Sequence, residues 1–289
     1  MEKYTIKNQD SFNLKDIFEC GQCFRWNKQE DGSYIGVIKD AVIKVEQNEK
    51  EITFTGVSKN DFKTTVRNYF DLDVDYNTYK NKLSEVDEYL ASSIKFGSGI
   101  RILKQDLWEC IISFIISANN NIPRIKKIIE NISKNYGKKV DFEGREYYYF
   151  PTPEELSKAS VEDLRKLGLG FRDQRVYNTV KNIVEGKFDL NNFEKINDTN
   201  KMREELLKLD GVGPKVADCI LLFASKRLDV FPIDVWVRRV MNDLYIHNID
   251  EEKVNKKELQ KLAEEKFLGI SGIAQQYLFY WKRETGKSA

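Results

Sequence analysis

Residues 206–239 read LLKLDGVGPKVADCILLFASKRLDVFPIDVWVRR, and this stretch decides the fold. An apolar-periodic segment ends at Leu209, turns through Asp210-Gly211-Val212-Gly213-Pro214, and gives way at Lys215 to a second helical pattern. The two glycines permit backbone conformations and close approaches that a Cβ would obstruct. Pro214 suits the first turn of the following helix, where its missing N–H loses nothing. The unpaired N–H groups of that helix start, together with the turn, form a concave seat for an anion, and a phosphodiester fits it. Lys215 lies just past the turn, and Asp234 follows nineteen residues later. On these signals alone the lysine also reads as a solvated helix start and the aspartate as a helix cap.

Working outward, the 289-residue chain is long enough for one large or two modest domains with a real core. A hydrophobic content of 41% with 32% charged residues describes a folded chain rather than a disordered one. No apolar run reaches the roughly 18 residues a bilayer demands, and the N-terminus MEKYTIKNQD lacks a secretion-signal core. A cytoplasmic protein is expected, nucleoid-associated if the source is prokaryotic. Cys20, Cys23, Cys110 and Cys219 are too scattered for a disulfide scaffold and fail the spacing of an iron–sulfur cluster. Cys20-x-x-Cys23 has no second ligand pair, and the chain has one histidine, so no zinc site is expected. Charge is uneven: residues 1–90 hold 13 Lys/Arg against 17 Asp/Glu, whereas residues 101–140 hold 8 against 3. That asymmetry suggests a basic surface on the middle of the chain, although a solvated helix face also explains it.

In chain order, Cys23–Trp26, Ser33–Ile38, Ala41–Val45 and Glu51–Thr55 read as short strands of a small antiparallel sheet. Helical segments follow from Lys59 to Ile94, with a loop at Asp71–Asp75. Beyond Asp106 the pattern is almost wholly helical. Asp106 caps the apolar run Leu107–Ile116, three asparagines stop it, and Pro123 starts the next helix with Arg124 on its first turn. Lys138–Tyr149 reads as a surface loop, Ser160 as an N-cap, Glu251–Phe267 as a charged helix and Ile270–Glu284 as an aromatic-rich last one.

Five segments in order, GQCFRW (21–26), GIRILKQDLWEC (99–110), SANNNIPRI (117–125), GVGPKVADCILL (211–222) and GIAQQYLF (272–279), resemble the 8-oxoguanine DNA glycosylases of the animal-enzyme type. That family lies within the helix-hairpin-helix DNA glycosylase superfamily, and the resemblance spans Gly21 to Phe279. It implies an α+β fold, mostly α-helical, with a small N-terminal antiparallel sheet domain at residues 1–95. Residues 96–289 would form the catalytic region, with the hairpin at about 203–225 and a C-terminal pocket helix.

The implied activity is bifunctional: excision of 8-oxoguanine opposite cytosine from duplex DNA, then lyase cleavage of the strand by β-elimination. Cutting an N-glycosidic bond builds positive charge on the sugar, and a carboxylate, Asp234, stabilises it electrostatically. Lys215 matches the catalytic lysine, whose unprotonated amine forms a Schiff base. The target base must leave the stack. Asn119 resembles the gap-filling asparagine, Arg124 and Arg172 the readers of the orphaned cytosine, and Phe171 the wedge beside it. Gly21 offers a carbonyl to the N7 proton that distinguishes the lesion, since guanine has an acceptor there. Gln275 and Phe279, one turn apart, would read the Watson–Crick edge and stack on the base, while Cys219 lines the pocket on the face of Lys215. A thiolate–ammonium pair between Cys219 and Lys215 and a plain buried thiol are both open readings. Departures are Trp236 where histidine is expected, Phe171 for tyrosine, and Phe223 for a pocket methionine.

Gly211, Val212 and Gly213 would grip phosphate, and the carbonyls of Leu207, Leu209 and Val212 would hold a structural cation; no other cofactor is required. A monomer is expected. Two alternatives remain: a related glycosylase for another lesion such as an alkylated purine, which needs Asp234 but not Lys215, and a non-catalytic DNA-binding module.

Overall fold

The computed structural model describes residues 1–248 and 254–286. Near the N-terminus, β1 (Lys3–Lys7) precedes α1 (Leu14–Glu19), and four strands follow: β2 (Trp26–Lys28), β3 (Tyr34–Ile38), β4 (Ala41–Gln47) and β5 (Glu51–Thr55). They form one antiparallel sheet in the order β1-β5-β4-β3-β2. β1 was not among the expected strands; Lys3–Lys7 pairs with Glu51–Thr55, a partner some fifty residues away in sequence. The sheet buries Ile43, Val45, Ile52 and Phe54 against Phe18, Phe62 and Phe70.

Helices make up most of the remaining chain. Asp106 caps α2 (Leu107–Ser117), its carboxylate accepting from Glu109 N–H at 2.9 Å. Asn121 caps α3 (Ile122–Tyr136), with Pro123 in its first turn and Arg124 N–H donating to the Asn121 side chain. α2 is buried on nearly every face, which is why its sequence is apolar apart from Glu109, Ser113 and Ser117. Next come α4 (Asp173–Val184), α5 (Thr199–Leu206), α6 (Pro214–Ser225), α7 (Val235–Met241), α8 (Lys256–Lys266) and α9 (Ser271–Thr285). Residues 251–253, the expected start of the charged helix, lie outside the described residues.

The expected surface loop at Lys138–Tyr149 is instead a two-stranded hairpin, β6 (Lys139–Phe142) and β7 (Arg145–Tyr148). Its turn residues Glu143 and Gly144 both have positive φ, 52° and 73°, the requirement of a tight two-residue hairpin turn. Phe142 folds under the N-terminal sheet with Ile35, Val37 and Val42, and Arg25 donates to Tyr148 O, so the hairpin straps the sheet to the helical body.

Two cores meet along one segment. Cys20 and Phe24 pack into the helical core, whereas Cys23 and Trp26 pack into the core beneath the sheet. Gly21 therefore lies on the seam.

Candidate active site

The hairpin forms as α5 and α6 joined through residues 207–213. Gly211 adopts φ +84°, and a Cβ there would lie 3.0 Å from Ile115 and 3.1 Å from Arg175, so both conformation and space demand glycine. Thr179 donates to Asp210 O (2.9 Å) and Asn178 to the Asp210 carboxylate (2.7 Å), fastening the turn to α4. Arg203 and the buried Asp218 pair at 2.7 Å across the two hairpin helices. Gly213 differs. Its φ is an ordinary −94°, it is exposed, and nothing lies within 4 Å of a Cβ placed on it. The protein's own packing does not require glycine there; close approach of something external would.

Pro214 opens α6 and Lys215 follows on the first turn, half-buried, with Nζ 5.7 Å from the Phe114 ring centroid. Phe114 in turn stacks on Phe223 (5.5 Å between centroids, 16° between planes). Phe223 is thus core beneath the lysine's support, and Phe114 is a residue that sequence reasoning missed. Its only signal was being one of two aromatics, with Trp108, in the apolar run of α2.

Asp234 is the N-cap of α7, accepting from Val237 N–H at 2.7 Å. The helix-cap reading therefore holds, and it is compatible with the catalytic one: the cap hydrogen bond fixes the carboxylate beside Cys219. Burial pushes the Cys219 thiol up to about 11; Lys215 opposes that shift by charge and hydrogen bond, and Asp234 adds to it. The three side chains share one neighbourhood. Desolvation outweighs the pull of Lys215 and holds the thiol toward its neutral form, which favours the plain buried thiol over a thiolate–ammonium pair. Trp236, two residues past Asp234, is half-buried, and its indole N–H has no hydrogen-bond partner among the described residues.

Beside Lys215 opens a cleft of about 640 Å³, walled by Gly211, Gly213, Arg175, Lys256 and Lys257. Cations dominate its rim, as backbone phosphates require.

A second group borders the same cleft, which Ala118 and Arg175 also line. Asn119, just past the C-terminal end of α2, is exposed at φ +50°, a conformation asparagine tolerates better than most residues. Phe171 is 57% exposed, an unusual state for a large aromatic, with the guanidinium groups of Arg172 and Arg175 at 4.2 and 5.6 Å from its ring centroid. Arg172 is only 2% exposed; it donates to Ala118 O (2.6 and 2.9 Å), Asn119 O (2.7 Å) and Leu169 O (3.3 Å). In the free protein the Arg172 guanidinium is committed to main-chain carbonyls that hold Asn119 and Phe171 together. Arg124 is exposed and reaches Gly168 O at 3.3 Å.

The last group joins the two ends of the chain. A Cβ on Gly21 would lie 3.3 Å from Phe279, and Gly21 itself has φ +92°. Its neighbours are stapled: Gln276 donates to Cys20 O (2.6 Å), while buried Gln22 donates to Ile17 O and Arg101 O and accepts from Leu103 N–H. Gln275, 7% exposed, lies one turn before Phe279 on α9. The Cys20 and Cys23 thiols are buried and donate to Ile17 O and Phe18 O, at 3.3 and 3.9 Å. Among the described residues no group of three or more His, Cys, Asp or Glu side chains could hold a metal, and no helix is long and apolar enough to cross a membrane.

Comparison with known proteins bears on the whole of this arrangement. Residues 4–111 match the family model of the 8-oxoguanine DNA glycosylase N-terminal domain, and residues 112–265 that of the HhH-GPD superfamily of base excision DNA repair proteins. An N-glycosylase/DNA lyase of Saccharomyces cerevisiae is 33% identical over 281 residues, 88% of this chain and 73% of that protein. A probable N-glycosylase/DNA lyase of Methanothermobacter thermautotrophicus is 32% identical over 253 residues, 81% of this chain and 78% of that protein. The Clostridium acetobutylicum 8-oxoguanine glycosylase/lyase, solved with double-stranded DNA containing cytosine opposite 8-oxoguanine, superposes with a TM-score of 0.92 at 42% identity, covering 98% of each chain.

Proposed function

Since the chain belongs to the 8-oxoguanine DNA glycosylase family of the helix-hairpin-helix superfamily, we propose that it excises 8-oxoguanine opposite cytosine from duplex DNA and then cleaves the strand as a lyase. The observation that carries this reading is the shared neighbourhood of Lys215, Cys219 and Asp234, with Lys215 itself lining the hairpin cleft. Asp234 stabilises the sugar cation as the glycosidic bond breaks. Lys215, delivering an unprotonated amine, attacks C1′ and forms the Schiff base from which β-elimination proceeds. Gly21, Gln275, Phe279 and Cys219 receive the flipped base, with Phe223 and Trp236 behind or beside them. Asn119 fills the vacated stack, Phe171 wedges the opposite strand, and Arg124 reads the cytosine; Arg172 acts from beneath by holding the Asn119 loop in place. The protein would act wherever the cell keeps its DNA, in the cytoplasm and on the nucleoid of a prokaryote.

Borohydride treatment on an 8-oxoguanine:cytosine duplex should trap a covalent protein–DNA adduct. If the protein releases 8-oxoguanine but never yields an adduct, the lyase half of the reading is lost; if only alkylated purine is released, the lesion assignment goes too. Arg124→Ala is expected to narrow the preference for cytosine over the other three opposing bases by roughly 10-fold or more, the worth of one good polar base contact. Excision measured opposite all four bases checks this, and unchanged ratios would remove Arg124 from that role.

The two hairpin glycines give a paired prediction. Gly211→Ala meets strain and a crowded Cβ and should cost roughly 1–3 kcal/mol of stability, seen as a lower melting midpoint. Gly213→Ala should melt with the parent yet bind duplex DNA about tenfold more weakly, because its Cβ would stand where a phosphate approaches.

A structural cation on the hairpin is proposed with this reading. One hydrogen bond of the turn, from Val212 N–H, ends on Leu209 O (3.1 Å), and none of the turn and cap hydrogen bonds of the described residues ends on Leu207 O or Val212 O. These carbonyls suit a hard cation, which would brace the turn as phosphate binds. A melting midpoint that rises on adding the cation with DNA present supports it.

A further inference from the structure

Arg283 lies beside Gly21 and Phe279, in a place that the residues assigned to the lesion leave without a role. It lies four residues past Phe279 on α9, its guanidinium 5.3 Å from the Phe279 ring centroid and 5.5 Å from that of Tyr280. Two of its donors are spoken for: Nη2 donates to Glu19 O at the end of α1, and Nε to Glu284 Oε1 at 3.0 Å. The third nitrogen, Nη1, is buried and has no hydrogen-bond partner among the described residues. It lies 3.1 Å from the position a Cβ on Gly21 would take, in the space that the Phe279 ring edge borders at 3.3 Å. A charged donor withdrawn from water and left without an acceptor is costly, and such groups mark places where something else is meant to bind.

The lesion offers the missing acceptor. On its imidazole side 8-oxoguanine carries an N7 proton and, on the adjacent carbon, the O8 carbonyl. With the N7 proton donated to Gly21 O and the Watson–Crick edge read by Gln275, O8 is left without a reader. We propose that Arg283 Nη1 donates a hydrogen bond to O8 of the flipped base, making Arg283 a specificity-determining residue of this pocket. The proposal rests on the reading of Gly21, Gln275 and Phe279 as the base pocket. Guanine presents C8–H at the same place, so it would bury the Nη1 donor against carbon and leave it unpaired. The pocket would then read both atoms that distinguish the lesion from guanine, the N7 proton by an acceptor and O8 by a donor. Because Nη2 is tied to Glu19 O, the fork geometry of the guanidinium fixes where Nη1 points.

The test uses three duplexes opposite cytosine: a non-cleavable 2′-fluoro 8-oxoguanine nucleotide, guanine, and a tetrahydrofuran abasic analogue. Equilibrium binding is compared for the parent, for Arg283→Met, which fills similar volume without a donor, and for Arg283→Lys, which keeps the charge but not the fork. Both variants are expected to lose about tenfold or more in affinity for the 8-oxoguanine duplex and at most about twofold for the other two. Equal losses on all three duplexes would make Arg283 a support of the pocket only and overturn the proposal. A parallel loss on guanine and 8-oxoguanine would place the contact on an atom they share, such as O6, and overturn it as well; so would no loss at all. A parent protein that failed to prefer 8-oxoguanine over guanine would instead defeat the underlying functional reading, and that result is visible before any variant is made.

Discussion

Replacing Lys215 with glutamine is expected to abolish the borohydride-trapped adduct and slow base release by about a thousandfold, on the order of 4 kcal/mol of transition-state stabilisation. Glutamine is nearly isosteric but has no nucleophilic lone pair to offer. The fold should survive, since the Lys215 side chain is half-buried at the cleft edge and what it loses is one contact with the Phe114 ring at 5.7 Å and one with the Cys219 thiol. The neutral state of Cys219 matters to this expectation. With its pKa pushed up to about 11, the thiol does not supply a substitute nucleophile at neutral pH. An adduct that persisted in Lys215→Gln, mapped by peptide mass analysis to another amine, would move the nucleophile elsewhere in the cleft.

Asp234→Asn is the second large effect, and here the structure separates chemistry from architecture. Asparagine caps helices as well as aspartate does, so the bond from Val237 N–H to the side-chain oxygen is retained and α7 should stay in place. What disappears is the negative charge. Base excision is expected to fall by roughly 100- to 1000-fold, comparable to the removal of one preorganised electrostatic partner elsewhere. Cleavage of a preformed abasic site should fall much less, because no glycosidic bond remains to break. Asp234→Ala should show the same chemical defect plus about 1 kcal/mol of lost stability from the missing cap. Equal losses on the lesion and on the abasic site in Asp234→Asn would mean that the residue only shapes the site.

Whatever depended on local chemistry was legible in the sequence. Asp106 announced its helix because a capping side chain acts within three residues of itself, whereas Asn121, read only as part of a stop, turned out to cap the helix that Pro123 had marked. The hairpin announced itself because its turn needs glycine at position 211 whatever surrounds it. β1 was not legible, since Lys3–Lys7 becomes a strand only by pairing with Glu51–Thr55. The β6–β7 hairpin was missed for a different reason. Its turn is Glu143-Gly144, and glutamate lacks the short side chain that makes asparagine or aspartate a recognisable turn signal.

The site divides along the same line. Lys215 and Asp234 stood out from their places beside a glycine turn and a proline, and the family resemblance supplied their roles. That Arg172 would spend its donors on Ala118, Asn119 and Leu169 could not be read there, because nothing near residue 172 in the chain says what lies across from it. Arg283 is the extreme case. Its orphan nitrogen has meaning only next to Gly21, 262 residues away, and no spacing rule reaches that far.

That distance also bears on how the protein is made. The proposed base pocket is closed by α9, and α9 is not an appendage: Ile273, Ala274, Tyr277, Leu278 and Tyr280 are buried in the helical core. A nascent chain still lacking this helix already contains the hairpin and the proposed catalytic pair, Lys215 and Asp234. It lacks the residues proposed to decide where that pair acts. Because the same helix completes both the core and the proposed pocket, Lys215 and Asp234 are not held in their folded geometry until Gln275 and Phe279 have arrived. Ribosomal stalling or a premature stop before Gln275 should therefore yield a misfolded chain for degradation, and not an indiscriminate nuclease loose on the genome.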